Sequence, residues 1–325
     1  MQAILAVTVP FFAIVLAGYL AAQRGVLPGS AIPGLNAFVL FFALPCMLFR
    51  FGASTPLVQL LNPALLGVYL LCAALLVFST IMATLGERVH LKDAAFGALV
   101  AAFPNTGFMG VPLLVALLGP AAAGPMICTI LVDLFITSSA CIAIAQAHDA
   151  SGQGARAAAR QVLRGTLGNP LPWAIALGAL FSGLGWQLGG PVEVVVRMLG
   201  DAASPVALFT IGAVLWRAGR HAHSRTPLAL YLPVALVKLL LHPLLVFLLA
   251  GAARQLGAPL GTFEITVITL TAALPSASNV ALLAERYGAD NGRVARIILA
   301  STALAFVSFT LLAFAFGVQP GVVHQ

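Results

Sequence analysis

Two short polar stretches interrupt long apolar runs: PNTG at residues 104–107 and PSASN at residues 275–279. Each couples a helix-breaking proline, Pro104 or Pro275, to small hydrogen-bonding side chains. These are Asn105 and Thr106 beside Gly107 in the first stretch, and Ser276, Ser278 and Asn279 in the second. Two ionisable residues, Asp133 and Lys238, fall in the middle of other apolar runs. The sequence shows no phosphate loop, no metal-spaced cluster and no nucleophile with a base, so covalent chemistry is not expected and no enzyme is indicated. Groups of this kind can hold a small ligand by hydrogen bonds. At Asp133 they can also take up and release a proton.

The surrounding elements must be membrane helices. Of the 325 residues, 61% are hydrophobic and 8% charged, too little charge to cover a water-facing surface of this size. The apolar runs are continuous and about 20 residues or longer, which fits helices and not the alternating pattern of a barrel. Ten spans are predicted, at 2–22, 33–50, 62–86, 92–118, 121–147, 170–189, 192–217, 226–251, 262–286 and 291–317. The expectation is an all-α integral membrane protein whose natural partner is the lipid bilayer. The cysteines Cys46, Cys72, Cys128 and Cys141 all lie inside spans and read as small core residues.

The net charge of +7 does not point to nucleic acid, because the basic residues sit in short loops. Twelve of them fall in or beside odd-numbered loops and three near even-numbered ones, with Lys238 alone in mid-span. By the positive-inside rule the odd loops face the cytoplasm and both termini face outward, in a multi-pass inner (plasma) membrane protein. The longest loop, 148–169, carries Arg156, Arg160 and Arg164 and reads as a cytoplasmic basic linker.

That linker divides the chain into two five-helix halves, 1–147 and 170–325. Pro45 precedes Phe49 as Pro205 precedes Phe209, and Asp93 precedes Pro104 by the same interval as Glu264 precedes Pro275. Five spans per half put the second half into the membrane from the opposite side, so the pattern predicts an inverted repeat with a binding site where the halves meet. A broken helix survives in a bilayer only where protein or a water-filled cavity covers the break. Pro112 is placed to start a second half-helix after PNTG. A half-helix starting near Asn279 follows PSASN. The unpaired N–H groups at such starts favour an anion, a carboxylate above all. A pair of proline kinks that only shape packing is the plainer alternative.

At these residues the sequence resembles the bacterial branch of the auxin efflux carrier family. The resemblance is carried by PNTGFMGVPL (104–113), LPSASNVALLAERYG (274–288), LNAFVLFFALPCMLF (35–49), GNPL (168–171) and LFTIGAVL (208–215). It implies two inverted five-helix repeats with broken, crossing helices 4 and 9, as in bile-acid symporters and sodium/proton antiporters. It also implies a panel-and-core division, elevator-like motion, a homodimer and small organic anions such as malate or malonate. The crossover roles then fall on Pro104, Asn105, Thr106, Gly107, Pro275, Ser276, Ser278 and Asn279, with Asn36 a further candidate for the cavity wall. Pro45, Pro205 and Thr210 are candidates for the wall or for kinks.

Asp133 shares a helix face with Thr129 and Thr137 and reads either as a proton- or sodium-coupling group or as a packing lock. Lys238 reads as a counter-charge to substrate, a partner of Asp133, or a support for the broken ninth helix. No cofactor is expected beyond a coupling H+ or Na+. Together these features predict a carrier moving a mono- or dicarboxylate by alternating access. The alternatives are a sodium-coupled symporter of bile-acid type and a membrane sensor or binding subunit that carries nothing.

Overall fold

A computed structural model describes residues 1–56, 62–146, 168–221 and 226–320. The linker predicted at 148–169 lies outside these residues except for Gly168 and Asn169. The described chain is helical. The segments are α1 (Gln2–Gln23), α2 (Gly29–Ser54), α3 (Pro63–Thr84), α4a (Leu91–Ala102), α4b (Thr106–Leu118) and α5 (Pro120–Gln146). After the linker come α6 (Pro170–Leu184), α7 (Gly190–His221), α8 (Leu228–Gln255), α9a (Thr262–Ala272), α9b (Val280–Arg286) and α10 (Asn291–Ala315). Among the described residues, seven continuous helices are long and apolar enough to cross a membrane: α1, α2, α3, α5, α7, α8 and α10. The protein is therefore an all-α integral membrane protein.

Local sequence sets several boundaries. Asn62 and Asn169 cap α3 and α6 by accepting backbone N–H bonds, each with a proline at the next position. α6 stops at Leu184, five residues before the predicted end, because Gly185 takes a left-handed conformation with φ 65°. Among the described residues four helices widen to π geometry, three of them just before a proline, at Val39–Ala43, Thr106–Gly110 and Val237–Leu241. Each of these three is followed two residues later by a proline: Pro45, Pro112 or Pro243. Proline has no N–H for the carbonyl one turn back and its ring pushes that carbonyl aside, so the preceding turn loosens. Pro112 thus does not begin the second half-helix, as the sequence suggested. α4b begins six residues earlier, at Thr106, and Pro112 shapes its first turns.

The helices pack in two groups. In the first, α1 lies along α7, α6 lies along α2, and α2 also packs on α7. In the second, α3, α4a, α5, α8, α9a and α10 surround the chain breaks. The first group depends on glycines at its crossings. A Cβ on Gly212 would lie 1.8 Å from the Val15 carbonyl oxygen, and one on Gly18 would lie 1.9 Å from that of Phe209. A Cβ on Gly52 would lie 3.0 Å from the Ile175 carbonyl oxygen, and one on Gly178 would lie 2.4 Å from that of Phe49. The two crossings are the same crossing. Val15, Gly18, Phe49 and Gly52 correspond in turn to Ile175, Gly178, Phe209 and Gly212 at one constant offset in the sequence.

Candidate functional site

Where α4 and α9 break, the two breaks meet. Pro104 lies opposite Ser276 in an isolated antiparallel bridge. The Asn105 N–H donates to the Pro275 carbonyl at 2.8 Å, and the Ala277 N–H donates to the Phe103 carbonyl at 2.9 Å. The flanking residues make both bonds, so a proline at the bridge position removes no donor the pairing needs. The outward N–H of Ser276 donates to Ser301 Oγ of α10 at 3.2 Å, which ties the bridge to the second group of helices.

The bridge leaves polar atoms without partners. Asn105, at the start of α4b, makes no side-chain cap. Among the described residues the N–H groups of Gly107 and Phe108 make no backbone hydrogen bond outside the helix. The buried hydroxyls of Thr106 and Ser276 have no hydrogen-bond partner among the described residues. Leaving such groups unmet inside a protein is costly, about 1–3 kcal/mol each.

Two adjoining cavities open at the crossover. One, of about 370 Å³, is walled by Asn36, Pro104, Asn105, Thr106, Gly107 and Asn279 along with Ser138 and Asn169. The other, of about 490 Å³, shares Asn36 and Asn279 and adds Ser278, Arg217 and Glu285. Asn36 and Asn279 therefore stand on the divide. Pro275 and Ser276 are on neither wall and hold the crossing from behind. Pro45, Pro205 and Thr210 are also off both walls; Thr210 Oγ1 donates to the Val206 carbonyl within its own helix at 2.6 Å. α9b has seven residues, less than two full turns. Its start therefore contributes through Asn279 and not through a helix dipole.

Asp133 and Lys238 do not touch this cavity. They sit deeper in the second group of helices, both fully buried. Tyr69 Oη donates to Asp133 Oδ2 at 3.1 Å, and Thr137 Oγ1 donates to Oδ1 at 3.3 Å. Thr129, on the same helix face, instead donates to the Met126 carbonyl. Asp133 lies in a further π turn, Val132–Thr137, with no proline after it. There the Asp133 carbonyl accepts from both the Ser138 backbone N–H and, at 2.8 Å, Ser138 Oγ.

Lys238 Nζ donates to the Ala272 carbonyl, the last of α9a, at 2.6 Å, and lies 3.0 Å from His242 Nδ1. A cation at a helix C-terminus satisfies both the free carbonyl and the negative end of the dipole. Among the described residues Lys238 makes no ion pair with Asp133; an ion pair elsewhere joins Arg50 to Asp201 at 2.7 Å. Arg293, counted from the sequence as a loop cation, is buried and donates to the Leu230 and Asp93 carbonyls.

Several wall and network residues were not singled out from sequence. Ser138 and Ser139 follow Asp133 in ITSS, a polar run inside an apolar span that was open to notice. Asn169 belongs to the quoted GNPL motif. Tyr69 carries no local signal, since its role depends on which span it faces.

The fold and the crossing define a class: an all-α membrane protein in which two interrupted helices pair at their breaks. The family follows from comparison with known proteins. The family model described as "Membrane transport protein" matches residues 3–313. The chain belongs to this family, the one its motifs resemble. It is 28% identical over 316 residues to the "Putative malonate transporter" of Rhizobium meliloti, with 95% of each chain covered. It is 29% identical over 306 residues to an "Uncharacterized transporter" of Methanothermobacter thermautotrophicus, covering 92% of this chain and 93% of the relative. Escherichia coli "Uncharacterized transporter YfdV" is 25% identical over 309 residues, with 92% of each chain covered.

Proposed function

We propose that the protein is a secondary carrier that moves a small organic anion, a mono- or dicarboxylate, across the inner membrane. The observation that carries this reading is the crossover. Two chain breaks pair there, and the cavity they wall is lined by Asn105, Thr106, Gly107, Phe108 and Asn279. Asn105 and Asn279 add side-chain amides to the same chamber. These groups donate without carrying charge, which suits a carboxylate that must be released again. The malonate in the name of the Rhizobium meliloti relative supports the substrate class.

In this reading the chain crosses the membrane ten times, with α4 and α9 as interrupted crossings and the two halves as inverted repeats. The group α1, α2, α6 and α7 forms a panel, plausible as the face between two protomers of a homodimer. The remaining helices form a core that slides past it in an elevator motion. Asp133, held by Tyr69 and Thr137, is the candidate coupling group for a proton. Asp133→Asn keeps the carboxamide oxygen for these donors. If that variant transports with the same pH dependence as the parent protein, the coupling role is wrong.

A second reading has one observation in its favour. Thr106 Oγ1 and Ser276 Oγ are unpartnered oxygens at the crossing and would serve Na+ as well as an anion. The test of both is flux in proteoliposomes loaded with labelled malonate, malate, acetate or indole-3-acetate under an inside-negative potential, with and without Na+. Efflux lost in the Asn105→Ala, Asn279→Ala double variant supports the crossover site. Strict dependence on Na+ would select the symporter. Flux of no acid by folded protein would favour a sensor or binding subunit.

A further inference from the structure

We infer that Arg286 binds the second carboxylate of a short dicarboxylate whose first carboxylate is held at the crossover, which makes the site selective for diacids over monoacids. The inference rests on the proposed carrier function and adds to it the residue that sets the substrate class. The cavity of about 370 Å³ has one charged side chain on its described wall, Arg286, and no acidic one. Asn279, Leu282, Leu283 and Arg286 all line it, the i, i+3, i+4, i+7 pattern of a single helix stripe. The chamber therefore has two poles. At one end are Asn105, Asn279 and the Thr106 hydroxyl, which is 1% exposed and without a partner. At the other, toward the open mouth, is Arg286, which is solvent-exposed and makes no ion pair among the described residues.

The spacing fits a short diacid. Seven residues of helix separate the Cα atoms of Asn279 and Arg286 by about 10 Å. A helical side chain leans back toward the N-terminus of its helix, so the guanidinium covers part of that distance. Leu282, Leu283, Ile130 and Leu134 line the same chamber and suit methylene carbons, alongside the polar Ser138, Ser139 and Asn169. Arginine's planar fork matches a carboxylate with two parallel bonds. Glu285, next in sequence, lines the adjoining cavity beside Arg217, so the described wall of this chamber carries no acidic side chain.

The test compares malonate and succinate with the same acids carrying one carboxylate as a primary amide, in proteoliposomes of the full chain. The parent protein is expected to carry the diacids at a KM about tenfold or more below that of the half-amides. Arg286→Gln is expected to raise the diacid KM by about tenfold and to leave the half-amide KM unchanged. Arg286→Lys should recover part of the difference, because it restores charge without the fork. Asn279→Ala should weaken both classes.

If Arg286→Gln slows diacids and half-amides equally, or neither, the inference is overturned. The same holds if the parent protein carries half-amides as well as diacids, a comparison that needs no variant to fold. Transport of no carboxylate of either class would defeat the carrier reading itself, a result distinguishable from loss of diacid preference alone.

Discussion

The buried side chains that act singly are Lys238 and Asp133, and each is held by a different logic. Lys238 closes the end of α9a through the Ala272 carbonyl and contacts His242 one turn on. Lys238→Ala would leave that carbonyl unmet and is expected to cost about 1.5–3 kcal/mol, visible as a lower unfolding temperature in detergent. An unchanged unfolding temperature would show that the carbonyl finds another partner. Tyr69→Phe removes one bond to Asp133 and should cost less, about 1 kcal/mol by the same measurement. Sequence placed both ionisable groups in mid-span and offered support of the broken helix as one role for Lys238. It offered no way to see Tyr69, because the identity of a facing span is not written in the local sequence.

Among the helices, the two glycine crossings and the paired breaks repeat one design in each half. Gly212→Ala puts a Cβ against the Val15 carbonyl, where no flexible side chain can yield. We expect α1 and α7 to be forced apart, with loss of the monodisperse peak in size-exclusion chromatography. Gly107→Ala is the contrasting case: no atom lies within 4 Å of its Cβ, so the fold should persist. The added methyl projects at the cavity wall, and flux should fall while the unfolding temperature holds. A Gly107→Ala protein that transports at the parent rate would argue that ligand does not approach the backbone there.

For the molecule as a whole, the cavities lie toward one end. Their walls use the first residues of α2 and α6 and the last of α5, α7 and α9b, all next to the odd-numbered basic loops. If those loops face the cytoplasm, the structure is open inward. A single cysteine at Ser139 or Leu282, in a background with the four native cysteines replaced, should react with an impermeant thiol reagent in inside-out vesicles. Reaction only in right-side-out vesicles would reverse the orientation. If transport follows the proposed elevator motion, substrate should slow the inward labelling.

Sequence by itself determined the membrane class, the long apolar helices and the two proline breaks. It did so because lipid demands long apolar helices, so any polar or proline-rich interruption stands out against them. The starts and ends were less legible. Pro112 suggested a helix start that the structure puts at Thr106, since a proline can loosen a turn without ending it. Only the tertiary structure decided that the breaks pair through Pro104 and Ser276, that Lys238 serves α9a, and that Asn36, Asn105, Asn279 and Arg286 share one chamber. Those facts depend on contacts between residues far apart in the chain, where packing sets which faces meet.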